Sequence, residues 1–225
     1  MNPIRQVLGV GAFALVVPAA HAACTDTAGP KVDWTGCSKE RLILRDKALQ
    51  DGKFSRAMLI GMNFSSANLS RANFVGAEIN HVSFRDAVLE GANFEKSIAV
   101  RSNFTGANFA GAKLEKAEFQ RSQLTRASLA GVNLSKGDFG RSVFEQTDLT
   151  NASLRFSNIA RARFVGAKLN GADLSSAFTF ATRFEATDLS GVKGLTQQQL
   201  DVACGDAKTK LPAGLKKPGS WPCSD

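Results

Sequence analysis

Histidine is almost missing from this 225-residue chain: there are only two, His21 and His81. A catalytic triad or a histidine-based metal site needs partners that converge on an imidazole, and the pattern around neither histidine supplies them. Cysteine is as restricted. The four cysteines sit at the two ends, Cys24 and Cys37, then Cys204 and Cys223, with none between. Beyond residue 17 no apolar run approaches the length of a membrane-spanning helix. Apolar residues as a class are not scarce. At 44% apolar and 21% charged, the composition is that of a globular chain and far from that of a disordered one.

The opening segment has a distinct character. Arg5 precedes an apolar stretch from Val7 to Val17, and Ala20-His21-Ala22 follows, which is the layout of a secretory signal peptide. Residues 1–22 are therefore expected to be cleaved, giving a mature chain that starts near Ala23 and is periplasmic or secreted. Arg5 is the one charged residue in that segment, so cleavage would lower the net charge from +8 to +7. An exported chain with an even number of cysteines is disulfide-permissive, and four cysteines allow three connectivities. Pairing within each end is the expectation, because a long repetitive stretch separates the two pairs. An alternative reading makes Cys24 a lipidated N-terminus, although His21 stands where lipoprotein leaders usually carry Leu.

Between the cysteines the chain repeats itself every five residues. Of the thirty positions in phase from Leu44 to Leu189, twenty-eight are Leu, Phe or Ile, with Ala99 and Thr179 the exceptions. Two residues before each of these, from Ala57 to Thr187, twenty-four of twenty-seven are Ala, Ser, Thr or Gly. On a helix, steps of five at about 100° per residue would spread the apolar side chains around the whole circumference. On a straight strand, an odd step would throw successive ones to opposite faces. The chain must instead turn once per repeat and wind as a solenoid with the apolar residue inside. A second period gives the number of sides. Phe64, Phe84, Phe104, Leu124, Phe144, Phe164 and Phe184 lie twenty apart, as do Arg101, Arg121, Arg141 and Arg161. Four sides of five residues sort both columns.

The quintets "ANLSR", "ANFVG", "VNLSK" and "ADLSS" resemble the A(D/N)LXX consensus of pentapeptide repeat proteins. The resemblance covers about residues 42–191 and implies an all-β fold, a four-sided, right-handed β-helix. Some members of that family mimic DNA and protect DNA gyrase. Those are cytoplasmic and acidic, whereas this chain is basic and carries an export-like leader. Specific nucleic-acid binding is accordingly not expected.

The ends differ from the middle. Residues 23–41 read as an N-terminal cap or linker, and 38–51 as either a degenerate first coil or a capping helix. In "GLTQQQLDVACG", Thr196 is the expected N-cap, Gln199 completes a capping box, and a short helix runs to about Cys204 with Gly205 as terminator. Residues 192–225 thus form a helical cap and a Pro/Gly-rich tail, which a Cys204–Cys223 bridge would staple back.

Little chemistry is apparent. His81 reads as an exposed corner residue, and Asn63, Asn68, Asn73, Asn93, Asn103 and Asn108 occupy one repeat position, so repetition accounts for them. Gly91, Gly111, Gly131 and Gly171 form a corner column expected to need positive φ. No enzyme activity, metal or cofactor is expected. The candidate anion-binding residues are Arg101, Arg121, Arg141 and Arg161 on one edge, with Lys96, Lys116 and Lys136 on the next. Two such charges one coil apart in water repel by about 0.9 kcal/mol, so the rows are tolerable without a ligand. Glu118 and Asp138 are placed to neutralise part of the arginine row. The sequence therefore predicts an exported scaffold that presents a rigid surface to an unidentified protein, or alternatively a module that binds an anionic envelope component through its basic columns.

Overall fold

The computed structural model describes residues 23–223; the leader expected at 1–22 lies outside the described residues. From Asp33–Lys53 to Asp173–Lys193, every fifth residue forms a parallel bridge to the residue twenty further along. Four bridge ladders therefore run the length of the molecule. They lengthen into strands once, where β1 (Ser38–Glu40) pairs with β2 (Met58–Ile60). The amides bond from coil to coil: Phe64 donates to the Ser83 carbonyl at 2.7 Å and Asn63 to the Leu42 carbonyl at 2.9 Å. This is how a chain with almost no regular secondary structure satisfies its buried backbone.

Each side ends in a turn. Ala67 donates its amide to the Phe64 carbonyl at 3.0 Å, and the same contact recurs at Ala72 to Leu69. The residue just before the closing amide takes left-handed backbone at all thirty-two positions in that phase, from Lys31 to Ala186, with φ between 52° and 72°. The expected glycines at 91, 111, 131 and 171 are among them. So are Arg101, Arg121, Arg141 and Arg161, which the sequence did not single out as strained. None of the thirty-two is Val, Ile or Thr, the residues for which this conformation is a true outlier. The repeated asparagines serve the same turn: the side-chain oxygens of Asn63, Asn73 and Asn103 accept the amides of Ser65, Val75 and Thr105 at 2.9–3.1 Å. That is an Asx turn, a structural duty for each copy.

The interior is apolar and stacked. Phe64, Phe84, Phe104, Phe144, Phe164 and Phe184 are fully buried, as the period of twenty required. Phe84 and Phe104 stack at 4.9 Å, and Phe144 and Phe164 at 4.7 Å. A parallel stack builds on the opposite side, through Phe54, Phe74 and Phe94, and meets the first edge-on across the interior. The small residues two before each apolar one are buried as well, but small size is only part of their role. The Ser122 hydroxyl donates to the Ala99 carbonyl and accepts the Ser102 amide, and Ser142 repeats this one coil later toward Phe119 and Ser122. At Val82 and Ser102 the hydroxyl of the next coil replaces the direct turn closure, whereas Ser122 and Ser142 keep theirs, at 3.3 and 3.1 Å.

At the N-terminal end the ladder starts at Asp33, ahead of the boundary at 42 drawn from the repeat, and residues 38–51 form a degenerate coil with no helix. Trp34 fills the first inward position. Lys39, at the next one, lays its chain across the Trp34 ring and donates to the Cys24 carbonyl at 2.6 Å. Cys24 is bonded to Cys37, so its sulfur is not available for a lipid.

Helix α1 (Gln197–Asp201) follows the last coil, with Thr196 and Gln199 making the expected capping box. It ends sooner than the sequence suggests, at the Val202 C-cap. The reason is that Cys204 returns to the ladder, bridging Arg183 and accepting the Phe184 amide at 2.8 Å. Gly205 does not terminate the helix. A Cβ there would overlap the ring of Trp221, which the Cys204–Cys223 bond brings back over the end. Leu200 is fully buried, and the Gln199 amide donates to the carbonyls of Leu174 and Ala177.

Candidate interaction face

The turn geometry decides what the exterior looks like. On each side of a coil three side chains project outward: those immediately before and after the buried apolar residue, and the left-handed residue that follows. Successive coils put identical positions about 4.8 Å apart in rows. Among the described residues no group of three or more His, Cys, Asp or Glu is placed to hold a metal ion, and no helix is long and apolar enough to cross a membrane.

The seven basic residues singled out from the sequence divide into two kinds. Lys96 and Lys116 share a shallow depression with Glu95 and Glu115, and Lys136 pairs with Glu115 at 3.2 Å. That row is mixed in charge. Arg101, Arg121, Arg141 and Arg161 are all exposed and form no ion pair within 4 Å among the described residues. The neutralisation anticipated from Glu118 and Asp138 does not take the form of contacts. Asp138 is already committed, since its Oδ1 accepts the Gly140 amide at 2.9 Å and the Asn158 side chain at 3.1 Å.

Arg121, Arg141 and Arg161 form one wall of a groove of about 390 Å³, a size within the range of ligand sites. The opposite wall is Asp138 and Asn158. The recess exists because the residues following the buried ones shrink from Gln120 to Gly140 and Ala160 before Phe180 closes the end. Phe178 and Phe180 are 58% and 46% exposed, and Phe156 at a turn is exposed too, whereas the phenylalanines in the core phase are buried. Their rings are nearly parallel at 6.4 Å, and the Arg161 guanidinium lies over Phe180 at 5.7 Å. Sequence reasoning missed both phenylalanines, because they fall outside the phase that marks the core. The available signal was the interruption itself: "FTF" at 178–180 puts Thr179 inside and aromatics on either side of it.

The chain was compared with known proteins. The family described as "Pentapeptide repeat region" matches residues 47–119, and "Pentapeptide repeats (8 copies)" matches 102–141 and 138–175; together they span more than half of the chain. Among solved structures, full-length QnrB1, a plasmid-mediated fluoroquinolone resistance protein, is similar with a TM-score of 0.60. It is 15% identical, over 81% of this chain and 92% of that one. HetL, a pentapeptide repeat protein involved in heterocyst differentiation regulation in the cyanobacterium Nostoc, is 23% identical over 86% of this chain and 95% of its own, with a TM-score of 0.49. No curated protein sequence matches. The QnrB1 likeness is one of fold, and it carries the hand of the coil: a right-handed β-helix. From the repeat-by-repeat match and the coil geometry together, the chain belongs to the pentapeptide repeat family.

Proposed function

We propose that this protein is a non-enzymatic, exported interaction protein: a four-sided β-helix closed at its C-terminal end by helix α1, which offers the arginine-bearing face to a macromolecular partner. One observation carries the reading. Four arginines on successive coils have no ion pair among the described residues, while the neighbouring lysine row is interleaved with glutamates. Like charges held in register are mildly unfavourable when the face is bare and become favourable against an anionic surface. The leader-like segment at 1–22 and the two disulfides support an oxidising, periplasmic or secreted setting.

The test is affinity capture from envelope extracts, with wild type and Arg121→Glu/Arg141→Glu compared at low and high salt. The reading predicts partners held by wild type and lost by the variant. Capture that is indifferent to the two arginines would overturn it. A second reading has the same face bind an anionic envelope component, and it predicts binding that collapses with added salt alone. Gyrase protection, which some family members provide, is opposed by the net charge of +8; potent gyrase inhibition by the mature protein would establish it instead.

A further inference from the structure

We infer that the groove bounded by Arg121, Arg141, Arg161, Phe178 and Phe180 is a docking site for an extended acidic peptide segment of a partner protein. The segment would carry at least one large apolar or aromatic side chain beside its carboxylates. The inference rests on the function proposed above and names the chemistry of the partner.

Three features of the groove select this occupant. The first is charge. Three unpaired guanidiniums on one wall call for carboxylates or other anions, and a guanidinium offers a carboxylate a planar, two-pronged donor. The second is the pair of exposed phenyls at the groove's end. Arginine and aromatic residues together are the composition of energetically dominant protein contacts. Phe178 and Phe180 present ring surface to solvent side by side in the groove, unlike the buried core phenylalanines and the single exposed Phe156 at a turn elsewhere. Arg161, held over Phe180, is already part of a stacked surface that an incoming apolar group extends. The third is the opposite wall. Asp138, with Glu118 exposed beside it, would repel a uniform polyanion laid along the arginine row, and the neutral Asn158 offers it no countercharge. A peptide avoids that conflict. It can turn carboxylates toward the arginines, donate backbone N–H groups to the Asp138 and Asn158 side, and set an apolar side chain against the phenyls.

The apolar surface continues past Phe178. A second depression, between the last coil and helix α1, is lined by Phe178, Ala177 and Val202, edged by Thr196, Gln198 and Gln199, and Val202 is 46% exposed. A peptide running along the solenoid axis thus meets cationic wall, then aromatic end, then apolar surface, in that order. Such a ligand has a direction.

The experiment titrates the mature protein into three fluorescein-labelled probes of equal length and follows anisotropy. The probes are a peptide alternating Glu with Phe and Leu, a polyglutamate peptide, and a single-stranded oligonucleotide; a sulfated polysaccharide serves as competitor. The mixed peptide is expected to bind at least about tenfold tighter than polyglutamate. Phe178→Ala and Arg141→Ala are each expected to weaken it by roughly tenfold, whereas Lys113→Ala, on another side, leaves it unchanged. Ala160→Trp fills the recess without removing a charge or a phenyl, and it should abolish the mixed peptide's advantage. Melting temperatures of all variants confirm that they fold. The inference is overturned if polyglutamate, the oligonucleotide or the polysaccharide binds as tightly as the mixed peptide, if Phe178→Ala and Ala160→Trp have no effect, or if no probe binds. In those cases an arginine-dependent capture from extracts would still uphold the proposed function, whereas capture indifferent to the arginines would remove both.

Discussion

The rings of Phe104 and Phe119 lie parallel, 4.7 Å apart and 2° from coplanar orientation, although the two residues belong to adjacent sides of the helix. Phe104 would be expected to stack on the residue twenty further on, but that residue is Leu124, and Phe119 leans across to take the place a phenyl would have had. Phe139 then meets Phe144 at 5.8 Å and 69°, and the original column resumes. The period of twenty would cast Leu124→Phe as the completion of a ladder. The packing says the reverse. The space above Phe104 is filled, so the added ring is expected to overpack the core and cost about 1–3 kcal/mol. Chemical denaturation of the two proteins measures it, and an increase in stability would show that Phe119 is free to swing back.

The left-handed position gives a second contrast. Ser66, with φ of 57°, lies on a coil remote from the groove. Replacing it by Val adds a β-branched side chain where the backbone tolerates none, and is expected to cost about 1–2 kcal/mol. Ser66→Gly relieves the same backbone but gains freedom in the unfolded chain, so its effect should stay within about 0.5 kcal/mol of zero. Thermal melts of the pair decide it. Equal effects would mean that side-chain size, with no contribution from φ, governs this position.

Acid should weaken a contact near the C-terminal end. Asp188 accepts the Ser190 hydroxyl and amide and pairs with Lys210 at 2.9 Å, and these contacts lower its carboxyl to about 2. Because the folded value lies below the unfolded one, the contribution is fully present above the ordinary carboxylate range and is lost as pH falls toward about 2. Half of that side chain is exposed, so the effect is screened and modest. The Asp188→Asn variant is expected to be less stable than wild type near neutrality and to lose less on acidification. Urea midpoints at about pH 6 and about pH 2.5 test this; parallel curves would rule it out.

The two disulfides close loops of 13 and 19 residues, each constraint amounting to about 3 kcal/mol by chain entropy. In a stack where each coil touches only its neighbours, that stabilisation stays local. Reduction, or Cys204→Ser/Cys223→Ser, is therefore expected to speed amide exchange in helix α1 and the last coil while the coils around Phe104 stay protected. Uniform loss of protection would mean that the caps hold the whole solenoid together.

The candidate site was only half legible in the sequence. Arg101, Arg121, Arg141 and Arg161 could be found by counting, since a period of twenty repeats in the linear chain. The lysine row could be counted too, but whether Glu115 reaches Lys136 depends on how side chains lean between adjacent corners, which spacing does not encode. Phe178 and Phe180 were hidden because a core-forming residue type was used outside the core phase. The recess between them and Gln120 came from Gly140 and Ala160, and residues without bulk leave no periodic mark.

What the sequence determined by itself was the path of the chain: a turn each quintet, four turns to a coil, Leu and Phe inside, and cysteines confined to the ends. It could do so because a solenoid's contacts recur at a fixed separation along the chain, so translation in sequence becomes translation in space. The tertiary structure alone decided the departures from that regularity. These are the ring of Phe119 over Phe104, the serine hydroxyls that replace turn closure at Val82 and Ser102, the early end of α1 where Cys204 rejoins the ladder, and the groove beside Phe178. Each departure depends on which neighbour in the next coil or adjoining side occupies the shared volume, a three-dimensional competition that no single period records.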